Sequence, residues 1–367
     1  MAIRIRRANA REVREPVVQF FWDIQAWPLP TQADYFRYWD WRHASLSESE
    51  PVVWVAMQGQ AVVGHMAVYF RNLRFGNETI RVGVSANYRV DKTCRNTMVG
   101  ARLAMEPRSL VRDGEIAMLL GYGNANGHSM FVGLGSRDLG AMQLFADVRR
   151  WRPILARRLP AAAAIAPLAH VAAGTRKLIL RRGFSRTTPG LVARNLSAAE
   201  VLSMDRSHWS SPGSLMSDSS PVLLVNRYVN CPYRSHRVFG ITEESTRRLQ
   251  GVVVTEGTTR IKVWECLVNE AVLSEEQAVE LVLNGIEEAE TAIVPLLPAS
   301  TLAGNFARAG FIRRSQGGPA PAVRTAHSQY EVEETTWWSA YADPAGPLGS
   351  LLADEKRWKV WYAWSHH

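Results

Sequence analysis

The feature that most constrains this chain is an order of elements that runs through it twice. In the first half, residues 52–57 (VVWVAM) and 61–70 (AVVGHMAVYF) read as two strands around Gln58-Gly59-Gln60, a hairpin. Residues 80–90 read as a third long strand. Residues 96–112 read as a helix with Val99, Leu103 and Leu110 near one face. A buried strand at 116–120, the loop GYGNANG and a helix through Phe131 follow. In the second half, 238–241 and 250–256 form a hairpin and 262–268 a strand. Ser274 opens a helix as a cap with Gln277 behind it, 292–296 is a strand, and 301–309 is a helix ending at Gly310-Phe311. Hairpin, strand, helix, strand, helix, twice over, is a divergent internal repeat.

The expected architecture is therefore α/β (α+β): two similar domains in tandem, each a mixed, mostly antiparallel sheet flanked by helices, with a splayed strand pair. The length of 367 residues suits two domains. The boundaries expected are 1–150, a linker at 151–185, and 186–367. A short strand at 3–7, aromatic-rich helices at 11–24 and 32–44, a turn at 72–77 and a helix with loop at 205–215 complete the outline. The segment 149–182 is Ala-rich, broken by Pro160 and Pro167 and flanked by Arg and Lys. It reads as a helical linker; the alternative is an interfacial segment on anionic lipid.

Composition removes some classes. The three cysteines, Cys94, Cys231 and Cys266, form no CxxC pair, so neither a zinc site nor a disulfide framework is indicated, and no metal is expected. No apolar run is long enough for a transmembrane helix, and the start MAIRIRRANA has no signal segment; a cytoplasmic enzyme is expected. The net charge of +9 fits an anionic partner.

The stretch VDKTCRNTMVGARLA, residues 90–104, carries the chemistry. It leaves a strand at Val90, turns through short polar residues, places Arg95, and enters a helix with Gly100 in its first turn. A strand that turns directly into a helix presents several backbone N–H groups beside the positive end of the helix dipole, a cradle for a diphosphate. Arg95 adds charge at the mouth, and Gly100 permits close approach.

These residues resemble the acyl-CoA loop of the GCN5-related N-acetyltransferase (GNAT) superfamily: a valine, an arginine five residues on, then Q/R-x-x-G-x-G/A. Val90, Arg95, Asn96, Thr97, Met98, Val99 and Gly100 stand at those positions. Met98 replaces the middle glycine, and its side chain is expected to crowd the phosphates. Leu120-Gly121-Tyr122-Gly123-Asn124, then Phe131 and Leu134-Gly135, resemble the family's fifth strand and closing helix. The segment Tyr38-Trp39-Asp40-Trp41-Arg42-His43 with Gly64-His65 resembles a tandem-GNAT subgroup.

The resemblance implies an acyl-CoA-dependent N-acyltransferase acting on a small-molecule amine, an amino sugar or a specialised-metabolite intermediate. Acetyl-CoA or another acyl-CoA would lie on Val90, Arg95 to Gly100, and Asn124. Asp40, Asn87 and Glu265 would meet the acceptor. The family's strand carboxylate and helix tyrosine are missing, since 81–90 carries no carboxylate and Phe131 stands at the tyrosine position. Acid and base therefore fall to His65, Tyr88 and His128. The second half lacks both arginine and glycine at its matching loop, so one active site is expected, in the first half. Alternatives are a Fem-like enzyme using aminoacyl-tRNA or an acyl carrier protein, and a catalytically degenerate binding protein. DNA is not an expected partner, and a monomer or homodimer is expected.

Overall fold

The computed structural model of the chain describes residues 2–95, 97–158, 164–180, 190–209, 214–297, 300–314, 336–343 and 358–359. The first half begins with β1 (Ile3–Asn9), α1 (Arg14–Asp23), α2 (Gln32–Ser45), β2 (Val52–Gln58), β3 (Ala61–Phe75) and β4 (Glu78–Val90). It continues with α3 (Val99–Met105), α4 (Ser109–Arg112), β5 (Met118–Gly123), α5 (Ala125–Gly133), β6 (Arg137–Ala141) and β7 (Gln143–Val148). Helices α6 (Trp151–Arg158) and α7 (Ala166–Leu180) follow, as the Ala-rich composition suggests. Then come β8 (Leu191–Asn195), α8 (Ala198–Leu202), β9 (Leu215–Ser217), α9 (Pro221–Leu224), β10 (His236–Glu243), β11 (Leu249–Glu256) and β12 (Arg260–Val268). The chain closes with α10 (Glu275–Asn284), β13 (Thr291–Leu296), α11 (Thr301–Arg308), β14 (Ile312–Arg314), β15 (Trp337–Ala342) and β16 (Trp358–Lys359).

The repeat is real at the level of topology. One sheet runs β1-β2-β3-β4-β5-β15-β6, with β9 and β16 added along the far end of β3; the other runs β14-β7-β13-β12-β11-β10-β8. In each, antiparallel strands precede one parallel pair, β4 with β5 and β12 with β13. The sheets also exchange a strand. β15, from the end of the chain, sits between β5 and β6, and β7, from the first half, sits between β13 and β14. A shared core welds them. Val82, Val84, Met118 and Leu120 of one sheet pack in one buried cluster with Val252, Val254, Trp264 and Leu267 of the other.

Several boundaries differ from the sequence reading. No turn spans 72–77: β3 continues to Phe75, because β9 adds a strand onto Leu73–Phe75, and the reversal is confined to Gly76 (φ +59°) and Asn77. The helix expected at 96–112 is broken. Pro107 cannot donate to the ladder, and a 3₁₀ turn at Glu106–Arg108 separates α3 from α4. Among the described residues of 205–215 there is no helix. The strand expected at 116–120 is shifted: β5 reaches Gly123, through residues read as loop, because β15 pairs with it along its whole length.

Candidate functional site

The site grows from a fork in the first sheet. β4 and β5 pair in parallel from Val82↔Met118 to Ser85↔Gly121 and no further. Beyond that pair, β4 stays on β3 while Tyr122 and Gly123 stay on β15. An edge of β4 is left open in the notch. β4 also bulges there: between its pairs with His65 and Ala67 of β3 it carries one extra residue, and Asn87 takes φ +55°. Two side chains hold the bulge. His65 Nδ1 lies 3.0 Å from the Asn87 carbonyl, and Asn87 Nδ2 donates to the Tyr69 hydroxyl at 3.0 Å.

Past the bulge the chain runs through Val90 into the loop of residues 91–98. Asp91 ties it down by accepting from the Thr93 backbone N–H at 2.8 Å, and the Thr97 N–H is spent on the Cys94 carbonyl at 3.1 Å. Arg95, Thr97 and Met98 are exposed. Asn96 lies outside the described residues. Val99 is buried and anchors α3 to the core. Among the described residues, the amides of Met98, Gly100 and Ala101 at the start of α3 have no acceptor. Met98 is 71% exposed, so its side chain is not packed into the protein at the start of α3.

On the same side, Tyr88 reaches between the two helices that flank the notch. Its hydroxyl donates to Met130 Sδ at 3.3 Å, and its ring meets Phe131 edge-on with centroids 6.0 Å apart. A Cβ on Gly100 would come within 2.7 Å of that hydroxyl, so the glycine makes room for the tyrosine as well as for a ligand. Burial raises the Tyr88 pKa, which keeps the phenol protonated at neutral pH.

The other residues singled out in the sequence lie elsewhere. His65 is fully buried between Phe21 and Trp39, and desolvation lowers its pKa to about 4. A neutral imidazole without exposed surface orients the bulge; it cannot meet a substrate while the core is closed. His128 is buried on α5, with Nε2 2.9 Å from Asp138 Oδ1 and its ring beside Trp337, so it joins the helix to β6 and β15. Asn124 caps α5, accepting from the Gly127 N–H at 3.0 Å. Asp40 sits on the outer surface of α2 in a bidentate pair with Arg14, both contacts at 2.6 Å. Glu265 is fully buried in the core between the sheets, accepting from Ser219 Oγ at 2.5 Å and the Tyr228 hydroxyl at 2.8 Å. Eight of the expected residues, Asn87, Tyr88, Val90, Arg95, Thr97, Met98, Val99 and Gly100, thus gather around the fork, with Asn124 at the end of β5 where α5 begins. Asp40, His128 and Glu265 do not.

On the opposite face of the notch, sequence reasoning gave no role to Arg42, Tyr69 or Tyr122. There Tyr122 of β5 stands beside Trp338 of β15, and Tyr38 and Arg42 of α2 face Tyr69 of β3. Tyr233 of the second half closes on Tyr38 and Trp41, with centroids 5.0 and 5.6 Å away. In the sequence, Tyr38 to His43 stood out only as part of the tandem-GNAT resemblance.

The second half keeps the topology but not the site. β12 and β13 part after Lys262↔Ile293. The start of α10, which corresponds to the start of α3, carries the buried carboxylates Glu275 and Glu276. Lys359 pairs there with Glu270 and, at 3.3 Å, with Glu275. Carboxylates at that position oppose a phosphate.

No family model and no curated protein matches this sequence. Solved structures do match. A conserved protein of Enterococcus faecalis V583 described as a probable N-acyltransferase shares 7% identity at TM-score 0.57, over 93% of this chain and 73% of that one. A GCN5-related N-acetyltransferase of Kribbella flavida shares 13% at TM-score 0.52, over 93% and 71%. Eis1 of Mycobacterium abscessus shares 12% at TM-score 0.51, over 92% and 73%. At these identities the likeness is one of architecture, and that architecture is the GNAT fold.

Proposed function

We propose that the chain is an acyl-CoA-dependent N-acyltransferase acting on a small-molecule amine, with one working site in its first half. The observation that carries this reading is the fork: an open, bulged β4 edge that runs without interruption into a loop with three unclaimed amides and an exposed arginine. An extended amide-bearing arm can pair with such an edge as a peptide does. A diphosphate at its end would rest on the amides of Met98, Gly100 and Ala101 beside Arg95.

The residues then divide the work. The β4 edge fixes the arm and so the thioester, which converts a bimolecular attack into a local one. Tyr88, protonated and lodged between α3 and α5, can give its proton to the departing thiolate. Asn87 and His65 hold the bulge in register. The acceptor amine enters from the Tyr38–Tyr122 side, opposite the cofactor.

The test is direct. Acetyl-CoA should raise the melting temperature, because a ligand that binds only the folded state stabilises it. Arg95→Glu, on the surface, should leave the unliganded melting temperature alone and weaken acetyl-CoA binding about tenfold or more. Wild-type protein with no shift at millimolar acetyl-CoA would refute the proposal.

A further inference from the structure

Arg42 stands out in the buried inventory of the first half. It is 3% exposed, yet among the described residues it has no carboxylate partner, and its Nε has no hydrogen-bond partner at all. Its surroundings are phenols. Nη1 donates to the Tyr38 hydroxyl at 2.7 Å, and the guanidinium carbon lies 5.2 Å from the Tyr38 ring centroid and 6.0 Å from that of Tyr69. Tyr122 completes the set of hydroxyls whose field it feels. An arginine stays charged in a protein, and a charge removed from water with no counter-charge costs several kcal/mol. Natural cores seldom keep such a charge without a use for it.

Position supplies the use. The Tyr69 hydroxyl accepts from Asn87, the bulge residue of β4, and Tyr122 is the first residue of β5 past its last pair with β4. Arg42 therefore lies directly under the fork, on the face opposite α3 and the loop of residues 91–98. From it, half-buried Tyr38 and Tyr122 and the 37%-exposed Tyr233 lead outward. The neighbouring rings of Trp27 and Trp41 pack on Tyr38 and fix this wall.

We infer that Arg42 receives the carboxylate of the acceptor, so the amine acylated here belongs to an amino-acid-like compound carrying both groups. This rests on the N-acyltransferase reading for the amine, but the anion site stands on its own geometry. A carboxylate beside Arg42 takes the open Nε–H and turns the hydroxyls of Tyr38 and Tyr69 toward it as further donors. Its charge cancels the buried guanidinium, and its backbone or side chain then carries the amine up toward the fork. A site built this way rejects the same amine lacking a carboxylate, because the buried cation is then left unpaired.

The experiment compares matched pairs: L-amino acids against the amines left by their decarboxylation, for example L-phenylalanine and phenethylamine, L-tyrosine and tyramine, L-tryptophan and tryptamine. Thermal shift is read first without any CoA. At least one amino acid should raise the wild-type melting temperature while its amine does not. Wild-type protein that favours no carboxylate over its amine overturns the inference, and this arm needs no variant. In Arg42→Met the preference should fall at least tenfold, with acetyl-CoA binding unchanged; a preference that survives the substitution also overturns it. Acetyl-CoA binding by wild type is measured separately. Its loss would sink the transferase reading while leaving the anion site testable.

Discussion

Tyr88 and Gly100 show how far single residues could be read and where reading stopped. Both were legible: Gly100 from its place in the loop, Tyr88 from its place beside the splay. Their contact was not, because a loop glycine and a strand tyrosine twelve positions apart meet only once β4 has bulged. The contact makes two predictions. Tyr88→Phe removes the proton donor and nothing that holds the fold, so kcat should fall about 10²-fold while acetyl-CoA affinity stays near wild type. Steady-state kinetics beside a binding isotherm separate the two. Gly100→Ala pushes a methyl against the Tyr88 hydroxyl at 2.7 Å. That hydroxyl is the free end of a side chain and can yield, so the melting temperature should change little while both kcat and acetyl-CoA binding fall. Histidines misled the reading for a physical reason. His65 and His128 have the right chemistry, but one is sealed beneath the bulge and the other is committed to Asp138.

The element that sequence alone could not place is β15. Residues 337–342 (WWSAYA) pair with β5 from Trp337↔Gly123 to Ala342↔Met118, and with β6 on the other side. Nothing local in GYGNANG announces a strand, since its regular structure is imposed by a partner two hundred residues away. The hairpin order, the Ser274–Gln277 helix start and the second crossover helix were legible because each depends on neighbours in sequence. Gln277 does accept the Ser274 N–H, at 2.8 Å. The exchange gives the C-terminal half a hand in the first-half site, because Trp338 backs Tyr122 and Ser339 lies against Gly121. Trp338 is 1% exposed, so Trp338→Ala should cost about 3–5 kcal/mol. Because β15 ties β5 to β6, the loss should also loosen the fork. Hydrogen exchange should quicken in β5 and β6 before it does in β8 and β10. Equal quickening in all four strands would mean that β15 has no local role at the fork.

At the scale of the whole molecule, strand exchange and the shared core leave neither sheet complete without the other, and unfolding should be a single transition. Its pH dependence can be worked out from four groups. Desolvation lowers the folded-state pKa of His43 to about 3 and of His65 and His236 to about 4. Desolvation, opposed by Lys359, raises that of Glu275 to about 7. Between about pH 5 and 6 the unfolded chain holds a proton on each histidine that the native state lacks, while the native state alone holds one on Glu275. The unfolded state therefore binds two more protons, three less one, and stability rises with pH across this window. Each net proton is worth about 1.4 kcal/mol per pH unit, an upper bound for sites that relax. Above about pH 6 the unfolded histidines and the native Glu275 lose their protons together, so the climb flattens and stability levels off above about pH 7. The urea midpoint should accordingly climb from about pH 5, most steeply up to pH 6, and level off above about pH 7. His236→Asn removes one of the two net protons and should halve the climb. A midpoint flat across that window would mean that the buried histidines open to water in the native state, and that the wall of rings under the fork is not closed.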